Sequence, residues 1–210
     1  NGYVVLREDQ FHHLSRVFRL KKYEYIDIVV LDVEVRRVRF LCFKDTCLYF
    51  DEEQVLFDLH TNLLPSFDIT LVQSIPKQEK MSAIIDSSVQ CGVRSIVPVI
   101  TERSLVKWGT EKRQKQYVKW IKCVEQSAMQ SKQCFLANIV EPVSFFDWLE
   151  QLNASDYDLC LIAWEEEDVV TLKQVLKIQA KCHSICMVIG PEGGLSKKEV
   201  DCAVEKGFKI

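Results

Sequence analysis

The chain has 210 residues, 48% of them hydrophobic, with 27 Lys and Arg against 30 Asp and Glu for a net charge of −3. That apolar share suffices for a real core in one large or two small domains, and the slight acidity argues mildly against nucleic acid unless the basic residues cluster. No apolar run is long enough to span a bilayer, no signal-peptide pattern is visible, and the nine cysteines, odd in number and without a C-x-x-C pair, read as free thiols in a reducing cytoplasm.

The first elements differ from the rest. "DQFHHLSRVFRLKK" repeats Phe11, Leu14, Val17 and Phe18 at helical spacing, with Asp9 as the expected cap. Arg7, Arg16, Arg19, Lys21 and Lys22 crowd this segment together with His12 and His13. Two readings stand: a solvated helix face, the usual outcome for a charge run, or a patch that contacts nucleic acid. "YIDIVVLD", "EVRRVRFLCF" and "CLYFDE" follow, alternating and β-branched with no helix between them. They predict a small β-rich module, a barrel. "TNLLPSF" marks a boundary near Pro65, which gives domains over residues 1–66 and 67–210.

From Phe67 strand and helix alternate. "DITLVQSI" predicts a strand. "KQEKMSAIIDSSVQCGV" predicts a helix with Met81, Ile84, Ile85 and Val89 inward and Gly92 at its end. "SIVPVI" is the next strand, and a long helix is expected over 112–130 with Tyr117, Ile121, Val124 and Ala128 on one face. The basic stretch 107–122 stands open to the same two readings as the N-terminal one, a solvated face being the usual outcome. "FLANIV" predicts a strand, Ser144 the start of a short helix carrying Phe145, Trp148 and Leu149, and "YDLCLIAW" another strand. A helix over 171–180 and the strand "SICMVI" complete the pattern. Such alternation means a mainly parallel sheet covered on both faces, whose ligands bind beyond the carboxyl ends of the strands.

At one such end lies "VIGPEGGLSKKEV". Pro191 fixes its own φ and pushes Gly190 toward an extended conformation. Gly193 and Gly194 permit positive φ and place no Cβ in a ligand's way. Ser196 and Glu199 have capping-box spacing, so a helix is expected from Lys197, stopping at Gly207. A loop of this kind presents free N–H groups at a helix N-terminus, which suits a polar small molecule; a tight turn without a ligand is the plainer alternative. Neither the Walker pattern nor G-x-G-x-x-G is present. Trp164-Glu165 and "TERS", 101–104, lie at other strand ends. Cys182, His183 and Cys186 lack the paired ligands a zinc site needs, so no metal is expected.

Four ordered motifs together resemble the RsmE family, uridine-N3 methyltransferases of small-subunit (16S) ribosomal RNA that use S-adenosylmethionine. They are "HHLSRVFRLKKYEYIDIVVLD", "KQEKMSAIIDSSVQCGVRSIVPVITERSLVK", "VEQSA" and "IGPEGGLSKKE". The resemblance covers nearly the whole chain. It departs from the family at Tyr23-Glu24, where Gly-Asp is usual, at Gln90-Cys91, where Glu-Leu is usual, and at Met129, where an Arg often stands.

The resemblance implies an α/β fold: a PUA-like RNA-binding β-barrel, then a SPOUT-type parallel sheet with a trefoil knot, whose final strand, cofactor loop and helix would follow Ile210. It implies that the backbone of Ile189, Gly190, Glu192, Gly193, Gly194 and Leu195 wraps the cofactor, with a side-chain contact from Glu165. Arg103 would hold a phosphate or stabilise charge developing on the uridine, or else form a surface ion pair. Glu125 and Glu102 are candidates to take the N3 proton, although a packing or interface role suits Glu125 better. His12, His13, Arg16, Arg19 and Lys22 would face RNA. A cytoplasmic homodimer acting on the small ribosomal subunit is expected, with no membrane or metal. Alternatives are the same fold acting on another RNA nucleotide, a non-catalytic RNA-binding protein, and, weakest, a nucleotide-phosphate enzyme, since no phosphate lysine follows the glycines.

Overall fold

The computed structural model describes residues 2–30, 34–58, 67–77, 79–106, 108–133, 135–167, 171–178 and 182–210. The chain divides into two compact units, Asn1–Leu64 and Pro65–Ile210. Residues 59–66, which hold the expected boundary, lie outside the described set.

The first unit holds β1 (Gly2–Val5), α1 (Glu8–His12), a π-helical turn (His13–Val17), β2 (Tyr25–Val30), β3 (Glu34–Lys44) and β4 (Cys47–Asp58). The strands form an antiparallel sheet in the order β1-β4-β3-β2. The pairing of Lys44 with Cys47 closes a two-residue turn, and its first residue, Asp45, takes φ 54°, which Asp tolerates better than most. Val38, Phe40, Leu48 and Phe50 form the small core.

The helical segment differs from its expected shape in two respects. Asp9 sits inside the first turn and pairs with Arg7, which occupies the cap position. The hydrogen bonding then widens, with the Phe18 N–H donating to the His13 carbonyl at 2.8 Å, five residues back. A wider turn breaks the 3.6-residue period, so Val17 and Phe18 are 61% and 68% exposed instead of facing inward.

The second unit is a mixed α/β domain. Its elements are β5 (Asp68–Ser74), α2 (Lys80–Gln90), β6 (Ser95–Ile100), α3 (Thr110–Ser131), β7 (Asn138–Ile139), β8 (Val143–Ser144), α4 (Phe145–Gln151), β9 (Leu159–Ala163), α5 (Leu172–Ile178), β10 (Ser184–Ile189) and α6 (Lys197–Glu205). The strand expected from "FLANIV" shrinks to two residues. The sheet runs β7-β6-β5-β10-β9, with β8 also on β6, and every pairing is parallel.

Alternation along each strand sends side chains to two faces. On one face Val72, Ile162, Cys186 and Val188 pack with Phe145 and Leu149 of α4 and Val200 and Ala203 of α6. On the other, Ile96 meets Met81, Ile85 and Val89 of α2 and Trp120, Val124 and Ala128 of α3. Leu159, Leu161 and Ile185 meet Val175 of α5. Since β5, β6, β9 and β10 are adjacent and parallel, the loops that leave their carboxyl ends gather at one edge of the sheet.

Candidate active site

Four loops share that edge: the turn after β5, the 101–104 segment after β6, Trp164-Glu165 after β9 and the glycine loop after β10. The glycine loop turns on a hydrogen bond from the Gly194 N–H to the Pro191 carbonyl, 2.9 Å. Positive φ falls on Gly194, at 70°, and not on Gly193. A Cβ on Gly194 would overlap the Glu165 carboxylate, whereas one on Gly193 would meet Arg103 alone among the described residues, at its Cβ (3.6 Å) and carbonyl oxygen (3.8 Å), both ordinary contacts. Leu195 leaves the loop fully buried in the core and pins it to the sheet. α6 then starts at Lys197 with the capping box of Ser196 and Glu199, as the spacing predicts.

Side chains tie the loops together. Arg103 Nη1 donates to the Gly193 carbonyl at 3.0 Å and lies 3.6 Å from Glu165 Oε1. Three hydroxyls, Ser74, Thr101 and Ser104, lie within 2.7–3.0 Å of one another and knit the end of β5 to the 101–104 segment. The Glu192 carboxylate accepts from Lys80 Nζ at 2.9 Å and from the Lys77 N–H at 3.2 Å. The lysine ammonium, helped by backbone N–H groups, lowers the Glu192 carboxyl to about 2. Glu199, fully buried, accepts the Ser196 N–H on one oxygen and the Glu102 N–H on the other, each at 2.8 Å.

The expected cofactor residues therefore lie on this one edge, with Arg103 among them. These contacts do not include Glu125, which sits half-buried on α3, in the layer with α2. His12, His13, Arg16, Arg19 and Lys22 belong to the first unit, and all five are exposed. Sequence reading missed Lys80, the hydroxyl cluster and the second bond of Glu199. Glu199 left a signal as half of a capping box, and Lys80, Thr101 and Ser104 lie inside motifs already singled out; that they become partners follows from sheet pairing that no local pattern encodes.

The edge fits a cofactor of the expected kind on two observations. Gly193 is exposed at the loop with no side chain of its own, and the left-handed Gly194 beside it lets the Glu165 carboxylate approach. The indole N–H of Trp164, next to Glu165 in the chain, is buried with no acceptor among the described residues; Trp164 also lines an apolar recess of about 160 Å³ between β9, β10 and α5, which includes Ala163, Met187 and Leu172 but no residue of the glycine loop.

A parallel α/β domain with a glycine loop at its ligand-binding edge defines a class, and residues 63–210 match the RNA methyltransferase domain family. Ribosomal RNA small subunit methyltransferase E of Aquifex aeolicus is 32% identical over 98% of this chain and 83% of its own length. The same-named proteins of Bacillus subtilis and Synechocystis are each 28% identical, with matches spanning 55% and 65% of their lengths. The chain belongs to this ribosomal RNA small subunit methyltransferase E family. Among solved structures, the enzyme of that name from Neisseria gonorrhoeae, bound to S-adenosyl methionine, superposes with a TM-score of 0.77 at 24% identity, over 99% of this chain and 82% of that one. A Legionella pneumophila protein solved with the bound cofactor SAM gives 0.82 at 23%, over 99% and 81%. At these identities the structures establish the fold.

Proposed function

We propose that this chain methylates N3 of a uridine in the 16S RNA of the small ribosomal subunit, using S-adenosylmethionine. The observation that carries the reading is the glycine loop at the carboxyl edge of the parallel sheet, within residues 63–210 that match the RNA methyltransferase domain.

When bound, S-adenosylmethionine supplies an electrophilic methyl group. The backbone of Ile189, Gly190, Glu192, Gly193, Gly194 and Leu195 holds it, and Glu165 adds a side-chain contact. The Lys80–Glu192 pair and buried Leu195 keep the loop in shape before the ligand arrives, so little ordering is left to binding. Arg103, already at the loop, stabilises the negative charge that grows on the uracil as the N3 proton leaves. Glu102 shares the segment of Arg103 and is the carboxylate offered to that proton, ahead of Glu125. N3 lies on the pairing edge of the base, so the target uridine is unpaired or flipped out.

The first unit is the RNA-binding module, a PUA-like barrel over residues 1–66, and residues 67–210 are the SPOUT methyltransferase domain. The arginines of its sheet are neutralised: Arg37 by Asp27, Arg39 by Asp51 and Glu52, Arg36 by Glu34 and Glu53. Among the described residues Arg16, Arg19 and Lys22 have no such acid partner, which supports phosphate contact there, with His12 and His13 beside them. Lys209 pairs in parallel with Leu161 of β9, which supports a further strand of the sort a trefoil knot requires. The working unit is a cytoplasmic homodimer. Among the described residues no helix is long and apolar enough to cross a membrane.

The test compares N3-methyluridine in small-subunit ribosomal RNA with and without the gene, alongside calorimetry of S-adenosylmethionine on the full chain. Loss of the modified nucleoside together with cofactor binding is the expected result. Unchanged RNA with no cofactor binding would leave a non-catalytic RNA-binding protein. Loss of a different methylated nucleoside would move the target.

A further inference from the structure

Glu199 does more than cap its helix. A capping box needs one carboxylate oxygen, and Oε2 serves it by accepting the Ser196 N–H at 2.8 Å. Oε1 accepts the Glu102 N–H at 2.8 Å, across 97 positions of sequence. The side chain is 0% exposed, the only buried carboxyl among the described residues. Burying a carboxylate is costly unless both oxygens are satisfied, so a cap alone would be better served by an exposed glutamate. Here two backbone donors and the N-terminal end of α6 supply the compensation.

The carboxylate therefore ties the 102–103 backbone to the far end of the glycine loop. On its other side the same short segment is held by Thr101 and Ser104, both bonded to Ser74. The next side chain along is Arg103, whose guanidinium reaches the Gly193 carbonyl at 3.0 Å. With the backbone fixed from both sides, the Arg103 side chain starts from a set point, and its guanidinium is held across the loop by the Gly193 carbonyl.

We propose that Glu199 is a positioning residue: its buried carboxylate clamps the Glu102 N–H so that Arg103 is set over the glycine loop before substrate binds. The catalytic consequence rests on the methyltransferase reading; the clamp itself does not. Glu199→Gln keeps the shape but turns one acceptor into a donor that faces an N–H, so one of the two bonds must break.

The test is a double-mutant cycle in the full chain with Glu199→Gln, Arg103→Ala and both together. Readouts are kcat, the KM for RNA, calorimetry with S-adenosylhomocysteine, and melting. Glu199→Gln is expected to lower kcat on the order of 10- to 100-fold, the scale of an ångström's misplacement, with the KM for RNA unchanged. In the Arg103→Ala background it should cost nothing further. Multiplying losses, or a lower melting point with kcat intact, overturn the proposal. Should the Gln variant fail to fold, the wild-type chain decides: the Glu102 amide proton should be slow to exchange and shifted downfield although it lies in a loop, and fast exchange overturns the clamp. A wild-type chain that neither binds the cofactor nor methylates RNA sinks the methyltransferase reading, while the amide measurement still decides the clamp.

Discussion

The two units of this chain use charge and packing in opposite ways. Among its described residues the first buries Val38, Phe40, Leu48 and Phe50 in a sheet whose arginines Arg36, Arg37 and Arg39 are paired with acids, and leaves Arg16, Arg19 and Lys22 exposed without an acid partner. The second has clusters on both faces of its sheet and joins the loops at one edge through polar side chains. Function in the second unit depends on shape held by a core, so single changes there should be severe. On the proposed reading, function in the first is spread over separate surface charges, so single changes should be mild and additive.

The largest effect should come from the residue that pins the loop. Leu195→Ala empties a fully buried site and should cost about 2–5 kcal/mol, read from the denaturant midpoint, with cofactor affinity falling alongside. A loss confined to stability would separate the loop from the core that carries it. Gly194→Val comes next. Its φ of 70° disfavours any side chain by roughly 1–2 kcal/mol, and the new group displaces Glu165. Calorimetry should find no S-adenosylmethionine binding in a folded variant, while Gly193→Ala stays near wild type. The reverse order of the two glycines would mean that the loop changes conformation on binding.

That pair of glycines also marks where sequence reading stops. Strand–helix alternation located nearly every element of the second unit, because buried parallel strands are continuous apolar runs and amphipathic helices have their own period. Gly-Pro-Glu-Gly-Gly located the tight loop between β10 and α6. Which glycine is left-handed depends on the Gly194–Pro191 hydrogen bond and the nearness of Glu165, a residue from another strand's loop. The same limit hid the Lys80–Glu192 pair and the reach of Glu199 to Glu102. In the first unit β1 was missed because "GYVV" is too short to show a period, and Val17 and Phe18 were misplaced by a π turn that the apolar spacing does not reveal.

Smaller per residue is the effect of the free cations. Neutralising Arg16, Arg19 and Lys22 should weaken RNA binding for every sequence and flatten its salt dependence, each lost phosphate contact lowering the log–log slope by roughly 0.9 on duplex or 0.7 on single strands. Neutralising Arg37 and Arg39, already paired with acids, should leave the slope nearly unchanged. An equal change from both sets would place the RNA across the sheet instead.

The smallest effect belongs to Glu192, and it tests whether the contrast follows the unit or the chemistry. Its ion pair with Lys80 lies in the second unit but is solvent-exposed, like Arg37–Asp27 of the first, so a modest effect is expected. Lys80 and the backbone N–H groups hold the folded carboxyl at about 2, below its ordinary value of 4.5. A depressed acid stabilises the fold fully above its unfolded value and loses that contribution as pH falls through the folded one. The gap in melting temperature between wild type and Glu192→Gln should therefore be small and constant from pH 7 down to about 5, then close as the pH nears 2. A gap that persists at low pH would show that the variant disturbs the loop by something other than lost charge. A gap as large as that of Leu195→Ala would mean that position at the ligand edge, and not burial, sets the severity of a change in this domain.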